Sequence, residues 1–265
     1  NSIGRDIVNH SKVKAISFTG GTETGKEIAK SVSGKFKKIS LEMGGKNPVI
    51  IFDDCNYDAM IESLIKSSFL NQGQICLAGS RIYIQKTIYN KFKKDFINRI
   101  KKLVVGNPLN KNTDQGAIVS ESHLEKISHY IEHAKKEGGK ILIGGYSPKL
   151  KGKFSSGWYF APTVIENISQ NSIINQDEIF GPVVTLNSFE SEENAIEMAN
   201  NTAYGLASII WTENMDRANK IAESLDCGMI WINCWLERDL RTPFGGIKNS
   251  GFGKEGGKYA LDFFT

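Results

Sequence analysis

Apolar runs of strand length alternate with stretches of helical periodicity from the start of the chain. Residues 13–18 are an apolar run typical of a buried strand, and residues 26–32 can begin a helix. The turn between them, 19–25, contains three glycines, and two further strand-length runs follow at 37–41 and 48–52. Strands that alternate with helices predict an α/β fold with mostly parallel sheets.

The same alternation continues through the rest of the sequence. An amphipathic pattern predicts a helix at about 57–70, with Asp53 and Asp54 before it as candidate N-caps, and a polar loop at 71–80. Further helices are predicted at about 88–103, 124–134, 191–200 and 214–224, and further strands at 81–85, 182–189, 207–211 and 228–233. The glycine-rich stretch 234–257 is predicted to be irregular.

The composition is that of a globular protein of one or two domains. The 265 residues are 40% hydrophobic and 23% charged, which allows a core of useful size. The apolar runs fall short of the roughly 20 residues that span a bilayer, and the N-terminus has no signal-peptide pattern. The net charge of +4 comes with scattered lysines and no interleaved aromatics, so we expect neither a membrane nor a nucleic acid as a partner.

The four cysteines indicate free thiols. They form no pair of Cys-x-x-Cys motifs, so we expect no metal, and four cysteines in a chain of this length suit a reducing, cytoplasmic location. The sequence also starts without an initiator Met and stops without a cap signal. We therefore expect it to be a fragment of a longer protein.

Cys76 is a candidate nucleophile because of its surroundings. It ends the polar stretch Asn71-Gln-Gly-Gln-Ile-Cys76, which follows a predicted helix. A cysteine nucleophile acts as the thiolate, so its ordinary pKa of about 8.5 must fall or a base must assist it. A structural cysteine is the other interpretation, and the loop position alone leaves both open.

Glu42 is a candidate base in the motif Leu41-Glu-Met-Gly-Gly-Lys-Asn-Pro48. The two glycines let the backbone approach a ligand closely. A partly buried loop carboxylate can reach the raised pKa and mobility that a general base needs. The alternative is a solvated carboxylate in an ordinary loop.

Two further turns have features of a nucleotide site. The turn Phe18-Thr-Gly-Gly-Thr-Glu-Thr-Gly25 lies between a strand and a helix N-terminus, a position that can bind phosphate, although an ordinary βα turn looks the same. The segment Asn175-Gln-Asp-Glu-Ile-Phe-Gly-Pro182 brings Glu178 and Phe180 within two positions. Such a pair can hold a ribose and the face of a nicotinamide, or it can simply precede a strand.

Taken in order, and with Pro243-Phe-Gly-Gly-Ile-Lys-Asn-Ser-Gly251, these motifs resemble those of the aldehyde dehydrogenase superfamily along essentially the whole chain. The spacing of 34 positions between Glu42 and Cys76 also suits that family. The resemblance implies NAD(P)-dependent oxidation of an aldehyde to a carboxylic acid. NAD is the expected cofactor, with NADP as the alternative.

The resemblance also implies a role for each matching residue. Cys76 matches the nucleophile, which forms a thiohemiacetal and, after hydride transfer, a thioester; its backbone N–H matches one oxyanion donor. Glu42 matches the base that activates water to hydrolyse the thioester. The residues that match the cofactor site are Gly20, Gly21, Thr22, Gly25, Gly45, Glu178 and Phe180.

The segment 233–246 and the last residues of the chain are similar to one branch of the family, the 2-hydroxymuconic and 2-aminomuconic semialdehyde dehydrogenases. Substrates of that branch carry a carboxylate, with which an arginine can pair bidentately. Arg238 matches the branch's Trp-Leu-x-Arg pattern and Arg241 is the second candidate, with surface ion pairing as the other interpretation of both. Glu237 departs from the branch, which usually has an apolar residue there, so we expect its side chain to point away from the substrate.

The implied fold is aldehyde dehydrogenase-like α/β, in three segments. They are residues 1–44, the C-terminal part of a Rossmann-type NAD-binding domain, residues 45–243, an α/β catalytic domain, and residues 244–265, which return to the cofactor domain. The expected partners are a small-molecule aldehyde and further copies of the chain, in a dimer or tetramer when full length.

Two other functions stay open at this point. A betaine-aldehyde or broad-specificity aldehyde dehydrogenase would need a site for a cation, and a non-catalytic relative of the same fold would need neither Cys76 nor Glu42. The oxyanion asparagine of the family falls upstream of this sequence and the oligomerising strand downstream. We therefore expect the isolated chain to be inactive.

Overall fold

The computed structural model describes residues 2–265, so Asn1, the first residue of the segment 1–44, lies outside the described residues. The strands are β1 (Ala15–Thr19), β2 (Lys38–Glu42), β3 (Asn47–Ile51), β4 (Gly79–Gln85), β5 (Lys140–Ile143), β6 (Thr163–Glu166), β7 (Val183–Phe189), β8 (Tyr204–Gly205), β9 (Ala207–Trp211), β10 (Met229–Ile232), β11 (Ile247–Lys248) and β12 (Gly251–Phe252). The α-helices are α1 (Ser2–Asn9), α2 (Thr22–Val32), α3 (Tyr57–Phe69), α4 (Tyr89–Ile100), α5 (Glu121–Lys136), α6 (Ile173–Gln176), α7 (Glu192–Asn200), α8 (Met215–Ser224) and α9 (Gly257–Phe264).

Seven strands form one sheet in the order β10-β9-β3-β4-β7-β6-β5. All neighbouring pairs are parallel except β5 and β6. Val49 and Ile51 of β3 pack with helices α3 and α4, while Ile50 packs on the opposite face with α7 and α8. This two-residue alternation buries both faces of the sheet under helices, as parallel sheets require. The predicted α/β fold with mostly parallel sheets is confirmed.

A second sheet has the order β1-β2-β12 and holds the first part of the chain. Strands β1 and β2 are parallel, and β12 returns antiparallel to β2, with Gly251 opposite Glu42. A side chain on Gly251 would place its Cβ 2.5 Å from the carbonyl oxygen of Leu41. This close approach explains why the returning strand has a glycine at that position.

The helix starts differ from the sequence-based expectation in two places. Helix α2 begins at Thr22, with Gly21 as N-cap, so the second half of the predicted turn is already helical. Helix α3 is capped by Asn56, whose side chain accepts a hydrogen bond from the backbone N–H of Ala59, and not by the predicted aspartates. Asp54 instead accepts a hydrogen bond from the Thr212 hydroxyl (2.8 Å) and so joins α3 to the end of β9.

Strands β5 and β6 were not among the predicted elements, and the stretch expected to be irregular contains the short strands β11 and β12. Each of these four strands has four residues or fewer, too few to show an alternating pattern. Among the helices described between residues 2 and 265, none is long and apolar enough to cross a bilayer.

Candidate active site

Glu42 is the last residue of β2, and its side chain is buried next to Gly245 of the C-terminal segment. It is 3% exposed, and neither carboxylate oxygen has a hydrogen-bond partner within residues 2–265. Burial, followed by the nearby Glu255 carboxylate, raises the pKa of Glu42 to about 7. A Cβ on Gly245 would lie 2.7 Å from the Gly253 carbonyl oxygen and 2.8 Å from Glu42 Oε1, so the C-terminal segment has a glycine where it passes this carboxylate.

Cys76 lies in the loop between α3 and β4, where the backbone turns sharply. Asn71 and Gln72 both have a positive φ, 50° and 58°, as the chain leaves α3. The Cys76 thiol is free and half-buried. Burial raises the pKa of Cys76, with smaller contributions from the Glu178 and Glu42 carboxylates. The thiol thus needs a base to form a thiolate near neutral pH.

The double glycine after Glu42 fits between the Cys76 loop and Glu178. The backbone N–H of Gly45 donates to Glu178 Oε1 at 3.0 Å. A Cβ on Gly44 would lie 2.3 Å from Glu178 Oε2, and one on Gly45 would lie 2.6 Å from the Cys76 carbonyl oxygen. The contact at Gly45 is with a backbone atom, so only glycine fits there, and it brings the Cys76 loop next to Glu178.

The turn between β1 and α2 forms an uncapped helix N-terminus. Gly21 is the N-cap and supplies no side-chain hydrogen bond, and the space in front of its Cα is open. The backbone N–H of Gly20 donates to the Glu42 carbonyl (3.0 Å), which fixes this turn to the end of β2. Thr22 is buried in the first turn of the helix, and Gly25 packs so closely on Met43 that a Cβ would meet its sulfur at 2.1 Å.

Phe180 has a backbone conformation that non-glycine residues rarely adopt, with a φ of 57°. Its carbonyl oxygen hydrogen-bonds with His123 Nε2 at 2.6 Å, and the two rings meet edge to face. Lys126, one turn further along α5, donates to the backbone carbonyl of Glu178 at 3.1 Å. Helix α5 therefore fixes the segment that contains Glu178 and Phe180.

The two candidate arginines have different surroundings. The Arg238 guanidinium lies over the ring of Phe244, 4.2 Å from its centroid, and is near enough to Glu42 to oppose the rise in that residue's pKa. Both arginines are exposed, and Arg241 pairs with Asp239 at 2.5 Å. The Glu237 side chain is exposed, and its carboxylate contributes, after burial, to a raised pKa of the Cys234 thiol.

The structure brings Glu42, Cys76, Gly45, Glu178 and Arg238 together and leaves Arg241 in an ion pair outside this group. Several residues that shape the site were not predicted from the sequence, namely Asn47, His123, Lys126, Trp235, Phe244 and Glu255. Asn47, Phe244 and Glu255 lie within or just beyond the quoted motifs. His123 and Lys126 lie on a helix surface, where the sequence offers no comparable signal.

The chain is similar to known proteins along its whole length. The profile of the aldehyde dehydrogenase family matches residues 1–265. The 2-aminomuconic semialdehyde dehydrogenase of Homo sapiens is 45% identical over 265 residues, 99% of this chain and 54% of that protein. The 2-hydroxymuconic semialdehyde dehydrogenase of Pseudomonas putida is 39% identical and matches 100% of this chain and 54% of its own length.

The fold has a close counterpart among solved structures. The crystal structure of betaine aldehyde dehydrogenase from Staphylococcus aureus in complex with NAD+ superposes with a TM-score of 0.94 at 40% identity, over 98% of this chain and 51% of that one. The chain spans about half the length of the curated relatives it matches. It belongs to the aldehyde dehydrogenase family.

Proposed function

We propose that the full-length protein, in which the variants below are made, oxidises an aldehyde to a carboxylic acid, with Cys76 as the nucleophile and Glu42 as the general base. The observation that carries this proposal is the buried Glu42 carboxylate, which has no hydrogen-bond partner within residues 2–265 and a pKa of about 7. A base with a pKa near the working pH is the most effective one. Because the Glu42 carboxylate influences the pKa of the Cys76 thiol, we place the water that it would activate next to an acyl group on Cys76.

The chemistry at Cys76 has two stages. The thiol loses its proton to solvent as the sulfur attacks the aldehyde carbon, and the backbone N–H of Cys76 donates to the oxygen that becomes negative. After oxidation the acyl group is held as a thioester on Cys76. Glu42 then accepts a proton from the water that attacks this thioester and passes it to the departing sulfur, which releases the carboxylic acid and the thiol.

The oxidation step requires a hydride acceptor, and the residues fit NAD(P). The uncapped helix N-terminus at Gly21, with open space in front of it, suits a diphosphate, and Gly20, Thr22 and Gly25 would complete that turn. Glu178, Phe180 and Gly45 would hold the nicotinamide end. Bound NAD(P) supplies the acceptor for the hydride. NAD in the Staphylococcus aureus structure supports NAD as the cofactor.

Glu42→Gln separates acylation from hydrolysis. We expect this variant to release NADH in a single burst, because Cys76 still forms the thioester, and then to turn over at least about 100-fold more slowly than the parent. Rapid-quench detection of the acyl-enzyme by mass spectrometry checks it. Cys76→Ser should show no burst, and steady turnover in either variant at the parent rate would refute the assignment.

We propose a carboxylated semialdehyde, such as 2-hydroxymuconic or 2-aminomuconic semialdehyde, as the substrate. The support is Arg238, whose guanidinium lies over Phe244 close to Glu42 and can pair with a carboxylate. The positive charge of Arg238 disfavours a cationic substrate such as a betaine aldehyde, because like charges repel. The names of the two relatives described above agree with this substrate class.

Arg238→Ala should raise KM for a carboxylated semialdehyde by roughly 10- to 100-fold, the worth of a charge-assisted hydrogen bond, and change KM for propanal little. Arg241→Ala, tested beside it, measures any contribution from the second candidate. Arg99→Ala, on α4 and paired with Glu62, controls for the loss of one positive charge. Equal effects of Arg238→Ala on both aldehydes would exclude recognition of the carboxylate.

We propose a division into two domains from the two sheets. Residues 1–44 and 244–265 would belong to the cofactor domain and residues 45–243 to the catalytic domain, because β1, β2 and β12 share one sheet and the strands from β3 to β7, with β9 and β10, share the other. A homo-oligomer and a cytoplasmic location stay predictions.

A further inference from the structure

Three consecutive backbone carbonyls, beginning at the nucleophile, each accept a hydrogen bond from a side chain. Asn47 Nδ2 donates to the Cys76 carbonyl at 2.7 Å and to the Ala78 carbonyl at 2.9 Å. The indole N–H of Trp235 donates to the carbonyl between them, that of Leu77, at 3.0 Å. Loops rarely have every carbonyl of such a segment fixed by side chains, since most side-chain hydrogen bonds of this kind are isolated caps and turns.

Asn47 is itself held rigidly. It is 2% exposed at the start of β3, and its Oδ1 accepts a hydrogen bond from the backbone N–H of Ala207, on β9, at 3.0 Å. The guanidinium of Arg81, on β4, donates to the carbonyl of Lys46, the residue before it, at 2.9 Å. The acceptor oxygen of the Asn47 amide and the backbone just before Asn47 are thus anchored to β9 and β4 of the seven-stranded sheet.

The other side of the Cys76 peptide is equally confined. Gly45 passes beneath the Cys76 carbonyl so closely that a Cβ there would lie 2.6 Å from the oxygen and 2.7 Å from Asn47 Oδ1. The Cys76 peptide is therefore fixed from below by packing and from the side by Asn47. Because the peptide plane sets the direction of the Cα–Cβ bond, fixing it also restricts where the sulfur can lie.

We propose that Asn47, assisted by Trp235, is a positioning residue that holds the Cys76 sulfur on the line of attack toward the aldehyde carbon. This inference rests on the proposed role of Cys76 as nucleophile. Neither side chain takes part in bond making. Their effect is on orientation, for which an error of about 1 Å can cost about 100-fold in rate.

The test compares a reaction that needs an aligned sulfur with one that does not. We expect Asn47→Ala to lower kcat for aldehyde oxidation by roughly 10- to 100-fold with KM for NAD little changed. Alkylation of Cys76 by iodoacetamide, followed by peptide mass spectrometry, needs a thiolate but no fixed line of attack, and should stay within about threefold of the parent. Trp235→Phe, which keeps the ring and loses the N–H, should lower kcat by a smaller factor.

Thr163→Val is the matched control for loss of a buried polar contact. Thr163 is fully buried on β6, and its hydroxyl donates to the Ala161 carbonyl and accepts from the Gly145 N–H. This variant should lower the melting temperature and leave both reactions unchanged. A kcat for Asn47→Ala within twofold of the parent, or equal losses in oxidation and alkylation, would overturn the proposal. Failure of the nucleophile assignment would instead appear as an active Cys76→Ser variant.

Discussion

At the residue scale, the properties of Glu42 follow from a balance between desolvation and nearby charge. Burial and the Glu255 carboxylate favour the protonated form, while the nearby Gly246 backbone N–H, followed by Lys254 and Arg238, opposes them without cancelling the effect. The result is a carboxyl group that changes protonation near pH 7 rather than near 4.5. Its ionised form lowers the stability of the folded protein, but near neutral pH it can accept a proton.

The pH dependence of turnover should therefore report on Glu42. Because the deprotonated form is the base, the rate of thioester hydrolysis should rise with pH and level off above about pH 7. Glu255→Gln should move this rise toward lower pH, since it removes a negative charge that raises the pKa of Glu42. Stopped-flow measurement of deacylation from pH 5 to 9 checks both. A hydrolysis rate that did not respond to Glu255→Gln would contradict this picture.

Glu42 should also make folding stability depend on pH. Its pKa is raised in the folded protein, so the folded state binds the proton more tightly and stability is lost as pH rises from about 4.5 through about 7. Glu42→Gln removes that loss. At pH 8 the variant should be more stable than the parent by up to roughly 3 kcal/mol, and at pH 4.5 the two should be nearly equal. Urea unfolding at the two pH values measures the difference, and an equal gain at both would point to packing instead.

At the scale of elements, the sequence predicts the long and strongly patterned pieces well. Helix α3 and strands β3, β4 and β9 have apolar residues at regular spacing, and their bounds agree within about two residues. What it did not predict depends on contacts between distant residues. The N-cap of α3 is Asn56, while Asp54 accepts a hydrogen bond from Thr212, which is 158 residues away in sequence. Strand β12 exists because it pairs with β2, and no local pattern marks it.

The pairing of β12 with β2 should be sensitive to the size of one residue. In Gly251→Ala the new methyl would meet the Leu41 carbonyl at 2.5 Å, next to Glu42, so the strands must separate. We expect a loss of about 1–3 kcal/mol in stability and a fall in the hydrolysis rate. Gly34→Ala, in an exposed turn with nothing within 4 Å, is the matched control and should change neither. Full activity in Gly251→Ala would mean that β12 does not fix Glu42.

At the scale of the whole molecule, the site is assembled from stretches that are far apart in the chain. Glu42 lies on the small sheet and Cys76 on a loop joined to the large sheet. Glu178 lies about 100 residues further along the chain, between α6 and β7. The motifs identified these residues, but their convergence depends on long-range hydrogen bonds such as that from Ala207 to Asn47, 160 residues apart. Sequence spacing alone cannot supply that geometry, so the role proposed for Asn47 rests on the structure.

The two sheets should differ in how easily they open. Strands β3 and β9 are buried at every position, whereas helices α1 and α9, which belong to the two ends of the chain, have no buried residue. Amide hydrogen exchange should therefore be slowest in β3, β4 and β9, and faster in α1, β1 and α9, because regions with few buried contacts open locally. Exchange measured by mass spectrometry checks this, and uniform protection across both sheets would contradict it.

Adding NAD to the same exchange experiment connects this difference to function. If the turn between β1 and α2 holds the diphosphate, NAD should slow exchange of the amides in residues 20–25 and leave β4 unchanged, since binding stabilises the segments it contacts. Gly21→Val provides the control, because a branched side chain would fill the open space in front of that helix N-terminus. Slower exchange in the parent but not in Gly21→Val would place the cofactor at this turn. The same slowing in both would locate NAD elsewhere and separate the cofactor assignment from that of Cys76 and Glu42.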